Sequence, residues 1–205
     1  MNTALAPSCP DPENSSDRRA GPRALSILRV GRVVWDEQDQ LCVVRNISPG
    51  GVMFECLRPP PVGQQLLIEL RSDKRMTGEV RWSRDRKVGI QFDREINVEH
   101  MLREERSPLL RVRPRAPRFI RRGTLKLIAD GETMSADIVD ISTFGVNCRP
   151  EAAVRNGEPI VAALDGVAAT NAEIRWVRGD QAGIRFEKPL PWKPFQLWLD
   201  HAARA

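Results

Sequence analysis

Arginine is the residue type with the most evident binding chemistry in this sequence. Only five of the 32 Lys and Arg residues are lysine, which leaves 27 arginines among 205 residues. Arginine offers a planar fork of donors that pairs bidentately with phosphate and a flat face that stacks on nucleotide bases, whereas lysine is a hydrated point charge. A biased genomic base composition could produce the same excess, so the positions of the arginines are more informative than their number.

The arginines cluster at two places in the chain. The first cluster is Arg18, Arg19 and Arg23, and the second is Arg111, Arg113, Arg115, Arg118, Arg121 and Arg122. Pro108, Pro114 and Pro117 lie among the second group, and proline disfavours helix both at its own position and at the residue before it. The second cluster is therefore predicted to be an extended or irregular linker that presents guanidinium groups without a fixed helical face. An ordinary solvated charged segment is the alternative.

A short polar motif follows each arginine cluster. The first motif is Asn46-Ile47-Ser48-Pro49-Gly50-Gly51 and the second is Asp140-Ile141-Ser142-Thr143-Phe144-Gly145. Asn, Asp and Ser carry hydrogen-bonding groups on short side chains, and glycine lets a backbone approach a ligand closely. The same pattern also fits a polar turn, in which Asn or Asp and Ser cap backbone groups and glycine adopts a positive φ.

The sequence offers few residues for catalysis or metal binding. Its cysteines are Cys9, Cys42, Cys56 and Cys148, without CxxC spacing, and its histidines are His100 and His201. A zinc site or a histidine-dependent catalytic group needs more such residues, and neither a Walker nor a Rossmann glycine motif is present. We therefore expect no enzyme activity, no metal and no cofactor, and we predict that Cys42, Cys56 and Cys148 are small buried hydrophobic residues.

The two polar motifs belong to an internal repeat. A shift of 94 residues carries Asn46 onto Asp140 and Gly63 onto Gly157 without a gap. The same shift aligns residues 79–84 with 173–178 and residues 89–92 with 183–186. One offset that serves four separated blocks indicates a duplicated domain.

Each repeat is predicted to form six short strands. In the first repeat they are residues 26–35, 41–48, 52–57, 65–71, 76–84 and 88–93, and in the second 124–129, 135–142, 146–149, 159–164, 168–177 and 182–187. Six short strands in a small repeat favour an antiparallel barrel, which closes its own edges. Helices are predicted at residues 97–106 and 194–203. The predicted fold class is all-β, with two tandem six-stranded antiparallel barrels, each followed by a short α-helix.

Large apolar residues are predicted to fill the cores. Four of them recur at spacings of three and four near the second predicted helix and would cover one end of a barrel. They are Trp192, Phe195, Trp198 and Leu199. The repeated Trp82 and Trp176 are also interpreted as core residues, with the adjacent Arg81 and Arg175 pointing to the opposite side of the strand.

Three regions are predicted along the chain. Residues 1–16 form a disordered tail, residues 17–106 the first barrel, and residues 107–205 the second barrel with its linker and C-terminal helix. No run of about 18 apolar residues is present, so we expect no membrane insertion. Residues 1–16 also lack the basic leader and apolar region of a secretion signal. The chain is therefore expected to be cytoplasmic.

The motifs of the first repeat resemble those of the PilZ family. That family is marked by an RxxxR segment ahead of a six-stranded barrel and by a [D/N]xSxxG segment on an early strand and turn. Arg19 and Arg23, preceded by Arg18, fit the first motif, and residues 46–51 fit the second.

The second repeat fits the same pattern with a difference in register. Residues 140–145 match DxSxxG, and Arg118 and Arg122 match RxxxR in form. At the 94-residue shift, however, Arg23 lands on Pro117, one residue short of Arg118. A shortened connection and a lost site explain this difference equally well.

The resemblance implies a receptor for cyclic di-GMP, a bacterial second messenger with two phosphates and two guanines. The implied ligand-binding residues are Arg18, Arg19, Arg23, Asn46, Ser48 and Gly51 in the first repeat, and Arg118, Arg122, Asp140, Ser142 and Gly145 in the second. Binding would pull the arginine segment onto the barrel, change the arrangement of the two barrels, and signal to an unknown downstream protein. Formation of a homodimer is also open.

Two alternatives come from other functional classes. A PilZ-like adaptor would act through protein contacts alone, and whether Arg19 and Arg23 engage a nucleotide distinguishes it from a receptor. Nonspecific nucleic-acid binding would suit the net charge of +5. Aromatic residues make up only 5% of the chain, with no tyrosine, which leaves few stacking platforms for a single strand, and no specific nucleic-acid recognition is expected.

Overall fold

A computed structural model describes residues 25–71, 74–101 and 115–204. The strands of the first repeat are β1 (Leu25–Trp35), β2 (Gln38–Ser48), β3 (Gly51–Cys56), β4 (Gln65–Arg71), β5 (Lys74–Arg84) and β6 (Lys87–Phe92). Those of the second are β7 (Thr124–Ala129), β8 (Glu132–Ser142), β9 (Gly145–Pro150), β10 (Pro159–Leu164), β11 (Val167–Arg178) and β12 (Gln181–Phe186). Residues 98–101 are helical (α1), and α2 spans Trp192–Ala202.

The strands close into two antiparallel barrels, as predicted. The first has the strand order β1-β2-β3-β6-β5-β4, and the second the equivalent order β7-β8-β9-β12-β11-β10. Alternation explains why these segments form strands: β3 and β10 bury every second residue, so one face of each strand fills the barrel. The predicted fold class is confirmed.

The backbone pairing repeats with the same offset as the sequence. Leu25 pairs with Ile47 in the first barrel, and Phe119 pairs with Ile141 in the second, so both pairs are related by 94 residues. We call residues 115–123, which lead into β7, the lead-in segment. No deletion therefore separates the lead-in segment from the second polar motif.

The repeated tryptophans differ from the prediction. Trp82 is 43% exposed, and Trp176 is only half-buried. A β-bulge between Val80 and Trp82 inserts Arg81 as an extra residue, and this places Arg81 and Trp82 together on the outer surface. The assignments of Trp82 to the core and of Arg81 to the opposite side of the strand are therefore wrong.

The indole rings instead cover glycines on the outside of the barrels. A Cβ atom on Gly89 or Gly183 would overlap the indole of Trp82 or Trp176, respectively. An aromatic ring over a glycine shields backbone that would otherwise lie open to water. The repeated Trp and Gly pairs thus stabilise the β5–β6 and β11–β12 hairpins from outside.

Helix α2 covers the second barrel and also packs against the first. Phe195 and Leu199 are buried, and they share one apolar cluster with Leu41 and Val43 of β2. The Gln196 side chain donates to the Leu41 carbonyl at 2.8 Å. The helix therefore joins the two barrels, in addition to the covering role that was predicted.

An ion-pair network closes the same interface. Asp39 on β2 accepts hydrogen bonds from Arg32 at 2.6 Å and from Arg121 of the lead-in segment. Both guanidinium groups lie over the Phe119 ring, with their central carbons at 5.9 and 5.8 Å from its centroid. Phe119 in turn meets Phe195 edge to face, with centroids 6.2 Å apart. The lead-in segment is thus held between the two barrels.

Candidate functional site

The first polar motif lies at the turn between β2 and β3. A bulge between Val44 and Asn46 precedes the motif, and bulges re-aim the side chains that follow them. Asn46 is half-buried and stands opposite Ser26 on one side and Met53 on the other. Its side chain forms no hydrogen bond with any described residue. The Ser48 hydroxyl donates to the Gly51 carbonyl at 3.2 Å.

The second motif has the same backbone and a different set of partners. The Asp140 carboxylate accepts from Arg118 on one oxygen and from the Asn147 amide at 3.3 Å on the other. The Ser142 hydroxyl donates to the Gly145 carbonyl at 3.2 Å. Both oxygens of Asp140 are therefore engaged within the second barrel, in contrast to Asn46 in the first.

The motif glycines are required by the barrels themselves. A Cβ atom on Gly51 would overlap the carbonyl oxygen of Ile90, and one on Gly145 would overlap that of Ile184. Neither glycine has a positive φ, so the expectation from the polar-turn interpretation is wrong on this point. Close approach of the next strand accounts for both glycines without a ligand.

The predicted arginines fall into separate environments. Arg18, Arg19 and Arg23 lie outside the described residues. In the second repeat Arg118 reaches Asp140, whereas Arg122 is exposed. The structure therefore brings Arg118, but not Arg122, into contact with the second motif.

The pairing register explains the mismatch between the two RxxxR segments. Because Leu25 and Phe119 occupy equivalent positions, Arg118 takes the place of Ala24, and Arg122 that of Leu28. In this alignment Arg118 and Arg122 do not correspond to Arg19 and Arg23, and no deletion lies between Phe119 and Ile141.

The outer faces around the two motifs also differ in character. The positions of Ser26 and Gly50 in the first barrel correspond to Ile120 and Phe144 in the second. Ile120 is 79% exposed and Phe144 is 55% exposed. At these two positions the first barrel thus has small residues, whereas the second presents apolar side chains to solvent.

Sequence reasoning missed the interface residues Asp39, Phe119 and Arg121. Arg121 had been counted with the basic cluster, yet only 10% of its side chain is exposed, and it is paired with Asp39. The signal that could have found it is its neighbour Phe119, a large apolar residue inside a charged segment. Arg121 serves the contact between barrels, so it is not available for a ligand at the surface.

The remaining titratable side chains give no sign of a catalytic or metal centre in the part of the chain that the structure describes. Cys42, Cys56 and Cys148 are buried as predicted, and burial raises the pKa of Cys56 and Cys148 to about 12. These thiols are therefore protonated at neutral pH. Within residues 25–71, 74–101 and 115–204, no group of His, Cys, Asp or Glu side chains could hold a metal ion.

The same described ranges contain no helix long and apolar enough to cross a membrane.

Several solved structures are similar to this chain. The chain is similar to the structures of Borreliella burgdorferi PlzA in complex with c-di-GMP (11% identity over 84% of this chain and 86% of that chain, TM-score 0.39) and of the Bacillus subtilis inhibitor of motility MotI/DgrA (10% identity over 85% and 93%, TM-score 0.33). It is also similar to Escherichia coli YcgR in complex with c-di-GMP (13% identity over 85% of each chain, TM-score 0.33). No curated protein matches the sequence significantly.

A family profile gives the assignment directly. The profile described as PilZ domain matches residues 17–106 and again residues 112–191. The two matched segments contain the two barrels and both polar motifs. The chain therefore belongs to the PilZ domain family and carries two copies of the domain in tandem.

Proposed function

We propose that this protein is a cyclic di-GMP receptor whose nucleotide site lies on the first barrel. The site is formed by Asn46 and Ser48 together with the arginines at positions 18, 19 and 23. Membership of the PilZ family supports this choice of ligand, and the site residues follow from the first-repeat motifs.

The contrast between Asn46 and Asp140 carries the proposal. In the second barrel Arg118 and Asn147 use both oxygens of Asp140. The residues that correspond to these two in the sequence of the first repeat are Ala24 and Met53, whose side chains contain no hydrogen-bond donor. The Asn46 amide, with one acceptor and two donors, is thus left for an external partner such as a guanine edge.

The arginines directly precede β1 in the sequence, so they would lie within reach of this face. Arg23 precedes Leu25 by two residues, a span of at most about 7 Å, and Leu25 pairs with Ile47 inside the motif. Each charge-assisted hydrogen bond to a phosphate contributes about 1.5 to 3 kcal/mol. Arg18, Arg19 and Arg23 would supply such bonds and would stack on guanine. Gly51 supports the site indirectly, because it lets β3 lie close to β6.

The second barrel is proposed to transmit the signal without binding nucleotide. Binding there through Arg118, Arg122, Asp140, Ser142 and Gly145 would first require Arg118 to leave Asp140. Exposed Ile120 and Phe144 suit contact with a downstream protein, since exposed apolar side chains grouped on one face mark interaction surfaces. Ligand binding by the arginine segment ahead of β1 would act on this barrel through Arg32 of β1, which contacts Asp39 and Phe119.

A nucleotide-free adaptor is the second candidate, and one observation favours it. The Ser48 hydroxyl is already bonded to Gly51, and Gly51 is explained by packing, so part of the motif has a purely structural role. The proposed domain limits, residues 17–106 and 107–205, the cytoplasmic location and a homodimer stay predictions.

Calorimetric titration with cyclic di-GMP separates the two candidates. We expect the wild-type chain to bind, and the double variant Arg19→Ala, Arg23→Ala to bind at least tenfold more weakly. Asn46→Ala should also weaken binding. Arg84→Ala removes one exposed arginine far from the motif along the chain, at the end of β5, and serves as the control. Unchanged affinity in the double variant would overturn the site, and no binding by the wild type would leave the adaptor.

A further inference from the structure

Two buried cysteines face each other in the hairpin that carries the first polar motif. Cys42 on β2 pairs directly with Cys56 on β3. Their exposed fractions are 0% and 1%, both belong to the apolar cluster of the first barrel, and both are free thiols. The pair lies at the opposite end of the hairpin from Ser48 and Gly51.

The backbone hydrogen bonds identify the type of strand pair. The Cys56 N–H donates to the Arg86 carbonyl at 3.0 Å, and the Cys56 carbonyl accepts from the Arg86 side chain. Both backbone groups of Cys56 therefore point away from β2, so Cys42 and Cys56 form a non-hydrogen-bonded pair. Directly opposite residues of this type have Cα atoms about 4.5 Å apart, inside the range of about 4.4 to 6.8 Å that a disulfide requires.

The current side-chain contacts leave the bond unformed. The Cys42 sulfur lies over Gly31, where an added Cβ would be 3.2 Å from it, and the Cys56 sulfur contacts the Arg58 carbonyl at 3.4 Å. Closing the bond needs rotation about the Cα–Cβ bonds, which is an ordinary rotamer change.

The pair is particular to the first barrel. The 94-residue shift carries Cys42 and Cys56 onto Ala136 and Pro150. The third buried cysteine, Cys148, stands between Ile138 and Ala182 on its neighbouring strands. Cys148 is therefore a matched control: a buried barrel thiol without a cysteine opposite.

We propose that Cys42 and Cys56 are an oxidative modification site that closes to a disulfide between β2 and β3. With a small disulfide such as oxidised glutathione, the Cys56 thiolate attacks one sulfur and releases one glutathione thiol. The Cys42 thiolate then displaces the second glutathione thiol from the mixed disulfide. The protein loses two protons and two electrons, and the oxidant becomes two thiols. Burial raises the pKa of Cys56, and the nearby Arg86 charge opposes part of that rise. Cys56 is the first residue to react because it is the last residue of β3, at the end of the hairpin that opens.

Burial sets the rate of this reaction and the effect of the bond. Because both thiols are enclosed, the oxidant reaches them only when the end of the hairpin opens. We therefore expect slow oxidation that a low concentration of urea accelerates. Once formed, the bond restrains β2 against β3 in both folded and partly open states, so the hairpin that presents Asn46 exchanges its amide protons more slowly.

Peptide mapping tests the proposal on the full chain. The Cys9→Ser variant is treated with oxidised glutathione, alkylated without reduction, digested and analysed by mass spectrometry. The expected product is a Cys42–Cys56 linked peptide with two hydrogen atoms fewer than the reduced pair, with Cys148 alkylated. In Cys42→Ala the mixed disulfide should accumulate on Cys56. The oxidised chain should have a higher thermal midpoint that dithiothreitol reverses.

Three results would overturn the proposal. One is that, after exhaustive oxidation of the folded chain, Cys42 and Cys56 are both still free thiols and are therefore both recovered in alkylated form. Another is that Cys148 reacts at the same rate as Cys56 or forms a disulfide with Cys42 or Cys56. The third is a Cys56 mixed disulfide that persists while Cys42 is present. All three results are read from the Cys9→Ser chain, so none of them depends on whether Cys42→Ala folds.

Discussion

Asp39 is expected to be the residue on which contact between the two barrels depends most. Its side chain is 11% exposed and receives Arg32, from its own barrel, and Arg121, from the lead-in segment of the second. Replacement by alanine removes the carboxylate and leaves the Arg121 guanidinium enclosed against Phe119. The perturbation therefore isolates a charged contact that crosses the interface.

The magnitude follows from the contacts that remain. Removal of one partner from a buried ion pair costs about 3 to 5 kcal/mol. Arg32 keeps Glu69 at 3.1 Å, and Arg121 keeps the Leu199 carbonyl at 3.2 Å, so the lower end applies. We expect Asp39→Ala to lose about 3 kcal/mol of unfolding free energy, more than a hundredfold in the folding equilibrium.

Urea denaturation followed by tryptophan fluorescence measures this loss. Asp180→Ala is the matched control, because Asp180 pairs with Arg149 on the surface, and exposed pairs contribute less than about 1 kcal/mol. A double-mutant cycle with Arg121→Ala should show strong coupling to Asp39. A loss at Asp39 no greater than at Asp180, or a coupling energy near zero, would refute the reasoning.

Three further predictions concern the motifs and their surroundings. Gly145→Ala should lower the thermal midpoint by several degrees, because its Cβ overlaps the Ile184 carbonyl; an unchanged midpoint would contradict this. The Arg45 hydrogen bond lowers the pKa of Glu55 in the folded chain. The contact should therefore stabilise the fold fully above the ordinary glutamate pKa of about 4.3, and this stabilisation should be lost as the pH falls through the lowered pKa. Glu55→Gln should therefore destabilise the chain at neutral pH and much less in acid, and a pH-independent difference in denaturation would argue against the contact. Arg118→Ala should leave the affinity for cyclic di-GMP unchanged. A tenfold loss of affinity in the calorimetric titration would indicate that nucleotide binds to the second barrel.

Local patterns were sufficient to predict both barrels. Alternating apolar residues and the repeated blocks predicted the strands, and the turn between β7 and β8 contains Gly131, which accepts its positive φ. The hairpin at Asp36 and Glu37 was harder to place, since both residues adopt positive φ without a glycine. β2 consequently begins at Gln38, three residues before its predicted start.

The features that sequence reasoning missed depend on contacts between distant segments. A bulge interrupts the two-residue alternation of side chains at Trp82, and no local sequence pattern predicts this bulge. Arg118 and Arg121 look alike in sequence, yet one meets Asp140 and the other Asp39. The difference depends on the packing of the second barrel against the first, which sets Arg118 beside the second polar motif and encloses Arg121 in the interface.

Hydrogen–deuterium exchange with and without cyclic di-GMP tests the central claim most directly, because it locates the ligand on one barrel. The account predicts slower exchange in peptides that cover the N-terminal arginines and the β2–β3 turn at Asn46, with little change in the β8–β9 turn at Asp140. Protection confined to the turn at Asp140, or no protection at saturating ligand, would contradict it.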